Sequence, residues 1–333
     1  MKNTAYSLIF LAFGLSSCQF FSDNKPSQNS DTATPSVDAS KIQFDENLAF
    51  SYIEKQVAFG PRNPSTKGHE ACAQWILSEL KNYTDTAYFQ DFSTVTYDGK
   101  KHQGKNIIAK INPKNSVRIL LCAHWDTRPI ADRDVKNQTE PILGANDAGS
   151  GVGVILSILS SLKNNPTSMG IDVVFFDIED YGQPENSGLP PMENSWCLGS
   201  QYWSKNLQDS VMPRWGILLD MVGGANATFL KEEISTMYAS NLQNRIWNNA
   251  QTLGHGSNFI NEPMSQIQDD HLYVNTTAKI PTVDIIHYKI NNGGFADYWH
   301  THNDNMSSVD KTTLKAIGRT VLYTIIEESK IAQ

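Results

Sequence analysis

The feature that most constrains this sequence is a set of short apolar runs, each ending at an acidic residue or a histidine. Val117–Ala123 runs into His124 and Asp126, Asp172–Ile178 into Glu179-Asp180, and Trp215–Val222 carries Asp220. Pro281–His287 is followed by YWHT with His300. Runs of this length, rich in β-branched and aromatic residues, read as buried strands. Asn106–Ile111 and Val117–Ala123, separated by Asn112-Pro113-Lys114-Asn115, read as strand, turn, strand. Apolar residues at helical spacing mark 66–80 (Cys72, Trp75, Ile76, Leu80), 148–163, 239–253 and 310–329. No longer repeat is visible. Strands alternating with helices predict an α/β fold: one domain with a central mixed, mostly parallel sheet flanked by helices. In such sheets ligands bind beyond the carboxyl ends of the strands. All the acidic and histidine residues above fall on that edge, joined by Asp147 at the start of the helix over 148–163.

Composition removes several classes. The balance of 27 Lys+Arg against 35 Asp+Glu gives a net charge of −8, with no basic cluster to meet phosphates, so a nucleic-acid partner is not expected. Forty per cent apolar residues and 10% aromatics support a real core. No apolar run reaches the roughly 18 to 20 residues of a membrane span. At the N-terminus, Lys2, the apolar stretch Leu8–Leu15 and Ser16-Ser17 before Cys18 resemble a bacterial lipoprotein signal. Segment 1–18 would then be a signal with Cys18 as the lipidated residue. Residues 19–43 would be a polar tether and 44–333 the catalytic domain. That implies an exported protein, attached to the cell envelope through its lipid anchor only. Of the remaining cysteines, Cys72 and Cys122 read as buried small hydrophobes, and an odd count with Cys197 leaves at least one thiol free. Without a C-x-x-C pair, a thiolate zinc site is not expected.

The chemistry lies in AHWDTRP (123–129), GANDAGSG (144–151), FFDIEDYG (175–182), ILLDMVGG (217–224), QDDH (268–271) and YWHTHNDN (298–305). Taken singly, Asp147 would be a helix cap, Glu179-Asp180 a solvated turn, Asp220 a strand-end turn former and His300 a surface imidazole. Together on one sheet edge, such carboxylates repel one another and need a cation or protons. A mixed Asp and His set suits Zn²⁺ with an open coordination position.

In order and wording these segments resemble the M28-type zinc aminopeptidases and, more closely, the glutaminyl-peptide cyclotransferases of the same fold, from about Phe59 to the C-terminal helix. The resemblance implies a zinc aminopeptidase-like fold, with Asp147, Asp180 and His300 as ligands of one zinc per chain. Asp180 stands where many relatives have Glu. It also implies Glu179 as general acid/base, and His124 and Asp220 at positions that complete a second metal site in the peptidases. Trp299 before His300, where peptidases usually have Tyr, favours the cyclases, as does QDDH, whose Asp269 would assist proton transfer together with Asp220. Substrates would be peptide or protein N-termini beginning with Gln, closed to pyroglutamate with release of ammonia. The alternative is an M28-type aminopeptidase. Asp284 stands where the cyclases have His. His287 is expected to be structural, His302 a loop residue, and Trp125 to lie behind the site. The Gly/Pro-rich stretch 182–196 should overhang the site, with Trp196 either lining the substrate pocket or packing with Trp203 in the core.

Overall fold

The structure, a computed structural model, describes residues 37–290 and 293–331. In chain order the elements are α1 (Glu46–Val57), α2 (Lys67–Tyr83), β1 (Thr86–Val95), β2 (Lys101–Ile111), β3 (Arg118–His124), α3 (Gly149–Asn164) and β4 (Gly170–Phe176). There follow α4 (Leu198–Lys205), β5 (Gly216–Asp220), β6 (Phe229–Glu232), α5 (Glu233–Thr252), β7 (Phe259–Met264), α6 (Asp270–Thr276), β8 (Thr282–Ile286) and α7 (Lys311–Ile331). Six strands form the main sheet in the order β1-β2-β4-β3-β5-β8, and β6 pairs with β7 in a small parallel sheet. Strands β3, β4, β5 and β8 run parallel, while β1 and β2 are antiparallel additions at one edge. The expected single α/β domain with a mixed, mostly parallel sheet is what forms.

The period-two geometry of strands sorts each buried run onto two faces. Ile119, Leu121, Val173, Phe175, Ile217 and Ile285 face the larger core, built with α1, α2, α3, α5 and α7. Leu120, Cys122, Val174, Phe176 and Leu218 face the smaller one, with Trp203 of α4 and Val274 of α6. Helix α3 lies so close to β5 that a Cβ on Gly151 would fall 2.2 Å from the Leu219 carbonyl oxygen. Only glycine permits that approach, and it brings the start of α3 against the end of β5.

Several expectations change. The runs at 106–111 and 117–123 do not pair with each other, because β4 lies between them. The intervening asparagines bond to the segment leading into β4: Asn112 Nδ2 to the Met169 carbonyl (3.0 Å), Asn115 Nδ2 to that of Ser168. Arg118 donates to Asp172 across β3 and β4 (Nε to Oδ2, 3.2 Å). Strand β1 was not anticipated, although the Asp98-Gly99 turn that joins it to β2 is a hairpin signal, with Gly99 at φ +77°. Helix α5 starts at Glu233, capped by the Glu232 side chain, and is interrupted at Ala239 (φ −139°, ψ 35°). The packed chain begins by Val37 rather than after residue 43. Val37, Ile42 and Phe44 are buried, and the Tyr323 hydroxyl donates to the Val37 carbonyl at 3.4 Å. The proposed signal, Cys18 and the tether up to residue 36 lie outside the described residues.

Candidate active site and metal centre

The carboxyl ends of β3, β4 and β5 set the site. After β4, Ile178 takes a left-handed conformation (φ 53°), which a β-branched residue adopts only where its surroundings enforce it. The enforcing group is Asp126, just past β3, whose carboxylate accepts from the backbone N–H of Glu179 (3.0 Å) and Asp180 (3.2 Å). Asp304 does the same for the loop before α3, accepting from Asn146 N (2.8 Å) and Asp147 N (3.0 Å). Asp147 is therefore not a helix cap: the cap position is Ala148, with no side-chain bond. The Asp147 carboxylate instead lies 3.0 Å from His124 Nε2 and 3.8 Å from His300 Nε2.

Asp147, Asp180 and His300 each offer a donor atom within 4.8 Å of the other two. Both Asp180 oxygens are buried, with His300 Nε2 3.1 Å from Oδ1 and no well-aligned hydrogen bond to either oxygen among the described residues, a costly state for a carboxylate unless a cation sits beside it. His300 Nδ1 faces Asp132 Oδ1 at 3.2 Å, and Asp132 is held bidentately by Arg128 (Nε and Nη2, both 3.1 Å). A carboxylate behind the imidazole fixes its tautomer and leaves Nε2 for a metal. Two carboxylates and one supported imidazole fit zinc with an open position. A second group, His124, Asp147 and Asp220, meets the same distance limit, with His124 Nε2 3.2 Å from Asp220 Oδ1.

If Asp269 and Asp220 assist proton transfer, they would be hydrogen-bonded to each other or to Glu179; neither bond forms. Asp269 Oδ1 accepts from Asp270 N, and the side-chain donor on Glu179 is the thiol of Cys197, with Sγ 3.1 Å from Oε1. Donor atoms of Glu179, Cys197 and Asp269 nevertheless lie within 4.8 Å of one another. Burial above all holds the Glu179 carboxyl well above the usual carboxylate range; His124 opposes, while Asp180, Asp269 and Asp270 add to the rise. Burial likewise pushes Asp220 up to about 7, against the hydrogen bond from His124. Asp269 is raised for the same first reason. The result is a carboxyl that holds its proton more readily than an ordinary one, in reach of a Lewis-acid position.

A cavity of about 400 Å³ opens over these groups. Trp299 stacks on His300 (centroids 3.8 Å) and touches Phe295 (4.6 Å), while Trp196 lies parallel to His300 at 6.0 Å. Trp196 is thus a cavity wall, and Trp203 packs separately against Phe176 under the sheet. The Arg128 guanidinium sits 4.5 Å from the Trp196 ring. Gly182 admits that ring, since a Cβ there would fall 1.8 Å from Trp196 Cδ2. The 182–196 loop is knitted around Gln183, which accepts from Met192 N (2.6 Å) and donates to Ser187 Oγ (2.8 Å). Asp284 lies outside the cavity lining, with its carboxylate 3.6 Å from His271 Nδ1, and His302 bonds Asp134. His287 packs against Phe229 (6.5 Å), and Trp125 stacks on His69 behind the site (4.3 Å). Sequence reasoning missed Arg128, Asp132, Asp304 and Cys197 and gave Asp126 no role. Each acts through contacts between distant segments that no local pattern reports.

Fold and donor set together define an α/β enzyme of the zinc-exopeptidase type. Residues 106–325 match Peptidase family M28, and the chain belongs to that family. Among solved structures, it is similar to a glutaminyl cyclase of Bacteroides thetaiotaomicron bound to N-acetylhistamine (45% identity, 85% of this chain and 98% of that one, TM-score 0.83). A glutaminyl cyclase of Tannerella forsythia is 44% identical over 85% of this chain and 99% of its own, with TM-score 0.83. A Zn-dependent exopeptidase of Parabacteroides distasonis matches equally well, at 45% identity over 85% and 98%, TM-score 0.83. Among characterised sequences, the glutaminyl-peptide cyclotransferase of Bos taurus is 23% identical over 77% of this chain and 72% of its own length. Aminopeptidase YwaD of Bacillus subtilis is 25% identical over 68% of this chain, which spans only 45% of that relative's length.

Proposed function

We propose that the protein is a glutaminyl-peptide cyclotransferase, closing N-terminal glutamine of peptides and proteins to pyroglutamate with release of ammonia. The observation that carries this reading is the cavity over Glu179, narrowed by Trp299 stacked on His300, in a chain 44–45% identical to structures of glutaminyl cyclases. Asp147, Asp180 and His300 would hold one zinc. The buried Asp180 carboxylate supports that position, since the imidazole 3.1 Å from its Oδ1 belongs to His300, itself a proposed ligand. When bound, zinc supplies Lewis-acid polarisation of the γ-carbonyl.

The protein's own groups do the rest. The walls of Trp196, Trp299 and Phe295 hold the glutamine side chain folded back on its α-amine, an entropic advantage of intramolecular reactions. The amine, with an ordinary pKa of about 7.7–8.0, attacks the γ-amide carbon in its neutral form. Glu179 takes one proton from that nitrogen and delivers it to the departing amide nitrogen, so the new C–N bond replaces the old and ammonia leaves. Asp220 and Asp269, both raised by burial, share the proton balance around Glu179. The segment before Val37 would carry an envelope lipid anchor at Cys18, leaving this domain exported.

The aminopeptidase reading draws on the second donor group, His124, Asp147 and Asp220, which would hold a second zinc. Turnover of an N-terminal Gln peptide against an N-terminal Leu peptide separates the two. Ammonia from the first and no cleavage of the second supports the cyclase, while cleavage of the Leu peptide with two zincs per chain overturns it.

A further inference from the structure

Cys197 grips Glu179 in two ways, and its neighbour ties the same turn. Its thiol lies 3.1 Å from Glu179 Oε1, and its backbone N–H donates to the Glu179 carbonyl at 2.9 Å. The next residue, Leu198, donates from its N–H to the Ile178 carbonyl at 3.0 Å. Cys197 stands in a left-handed conformation (φ 59°) at the entry to α4, which aims both its N–H and its side chain back at the end of β4. Behind it, a Cβ on Gly199 would fall 2.2 Å from the Asp177 carbonyl oxygen, so the start of α4 is packed hard against the same turn. The thiol is fully buried and is the hydrogen-bond donor on a carboxylate that otherwise faces His124 Nδ1 only at 3.9 Å. Burial and the neighbouring carboxylates push the thiol pKa well above its ordinary value, so it stays an S–H donor rather than a thiolate.

We propose that the Cys197 thiol is a positioning group for the general base Glu179, holding Oε1 so that Oε2 is the atom turned to the substrate amine. The inference rests on the cyclase reading with Glu179 as base. A thiol suits the place: it is a weak donor, so it orients the carboxylate without quenching its basicity as a charged donor would. Cysteine in this position is therefore neither a metal ligand nor a nucleophile, and it acts only through Glu179.

The test is a cycle of C197A, C197S, E179Q and C197A/E179Q, with kcat, KM, bound zinc and melting temperature measured on the full-length protein with a Gln-initiated peptide. Loss of one weak hydrogen bond predicts a fall in kcat of about 3- to 10-fold for C197A. KM and zinc content should stay within about twofold. The hydroxyl of C197S should recover most of the lost kcat. In the E179Q background, adding C197A should cost less than about twofold, because the two residues act as one unit. A C197A enzyme with wild-type kcat, an equal loss in both backgrounds, or a folded C197S as slow as C197A overturns the proposal. The wild-type product keeps the two readings apart. Free glutamine in place of ammonia would sink the cyclase reading, and the same cycle run on that hydrolysis would still judge Cys197.

Discussion

Replacing Asp132 by Asn probes how the candidate zinc is held without touching a ligand. Asp132 Oδ1 lies 3.2 Å from His300 Nδ1, and both its oxygens are fixed by Arg128 at 3.1 Å. The amide keeps the volume and one acceptor for the imidazole N–H but loses the charge that makes the His300 Nε2 lone pair more basic. Removing such a partner ordinarily weakens a metal 10- to 100-fold, or about 1.4–2.7 kcal/mol. The Asp132 side chain is 18% exposed, so solvent softens the loss toward roughly 10- to 30-fold. Arg128 still donates to the carbonyls of Asp180 (2.9 Å) and Gly182 (2.8 Å), so the loop should stay folded. Zinc affinity is measured by competition with a chromophoric chelator, alongside far-UV spectra and a melt. A folded D132N that holds zinc within twofold of wild type would refute the idea that Asp132 supports the ligand.

Two further outcomes follow from the same geometry. Glu179→Gln keeps size but removes the basic carboxylate, so turnover should fall by about 10²–10⁴-fold with zinc content unchanged; loss of zinc with turnover per metal retained would mean that Glu179 is a ligand instead. Glu232, buried and opposed by its own desolvation, is nonetheless held at about 2 by His271 Nε2 at 3.0 Å and by the N–H groups of Ile234 and Ser235. Its folded pKa lies below the unfolded one, so its contribution is present above about pH 4.5 and fades as pH drops toward 2. Urea unfolding of wild type and E232Q should therefore show a stability gap at pH 6 that narrows at pH 3. A gap that does not change with pH would contradict this assignment.

The layered α/β architecture was legible because apolar runs of β4 and β5 are continuous and end at charged residues. The cluster of carboxylates and histidines was legible on the carboxyl edge of the sheet, and Asp147, Asp180 and His300 stood out from it through the resemblance to the M28-type enzymes. What stayed hidden depends on contacts between segments far apart in the chain. Asp132 and Asp304 look like ordinary loop acids until the fold puts them behind His300 and under Asp147. Cys197 has no role in the sequence beyond leaving an odd cysteine count, until the turn after β4 meets the entry to α4. The pairing of β2 with β4 escaped notice because a four-residue turn predicts a hairpin, while side-chain bonds from Asn112 and Asn115 to the β4 approach hold open a place for the inserted strand. The asparagine pattern was present in the sequence; its partners were not.

The account stands or falls on the fate of one peptide. Purified zinc-loaded protein is incubated with Gln-Phe-Ala and the product is weighed by mass spectrometry. Cyclisation predicts an intact chain lighter by one ammonia, formed faster as pH rises through the α-amine range near 7.7–8.0. Free glutamine together with Phe-Ala would contradict it, and would assign this cavity to peptide hydrolysis.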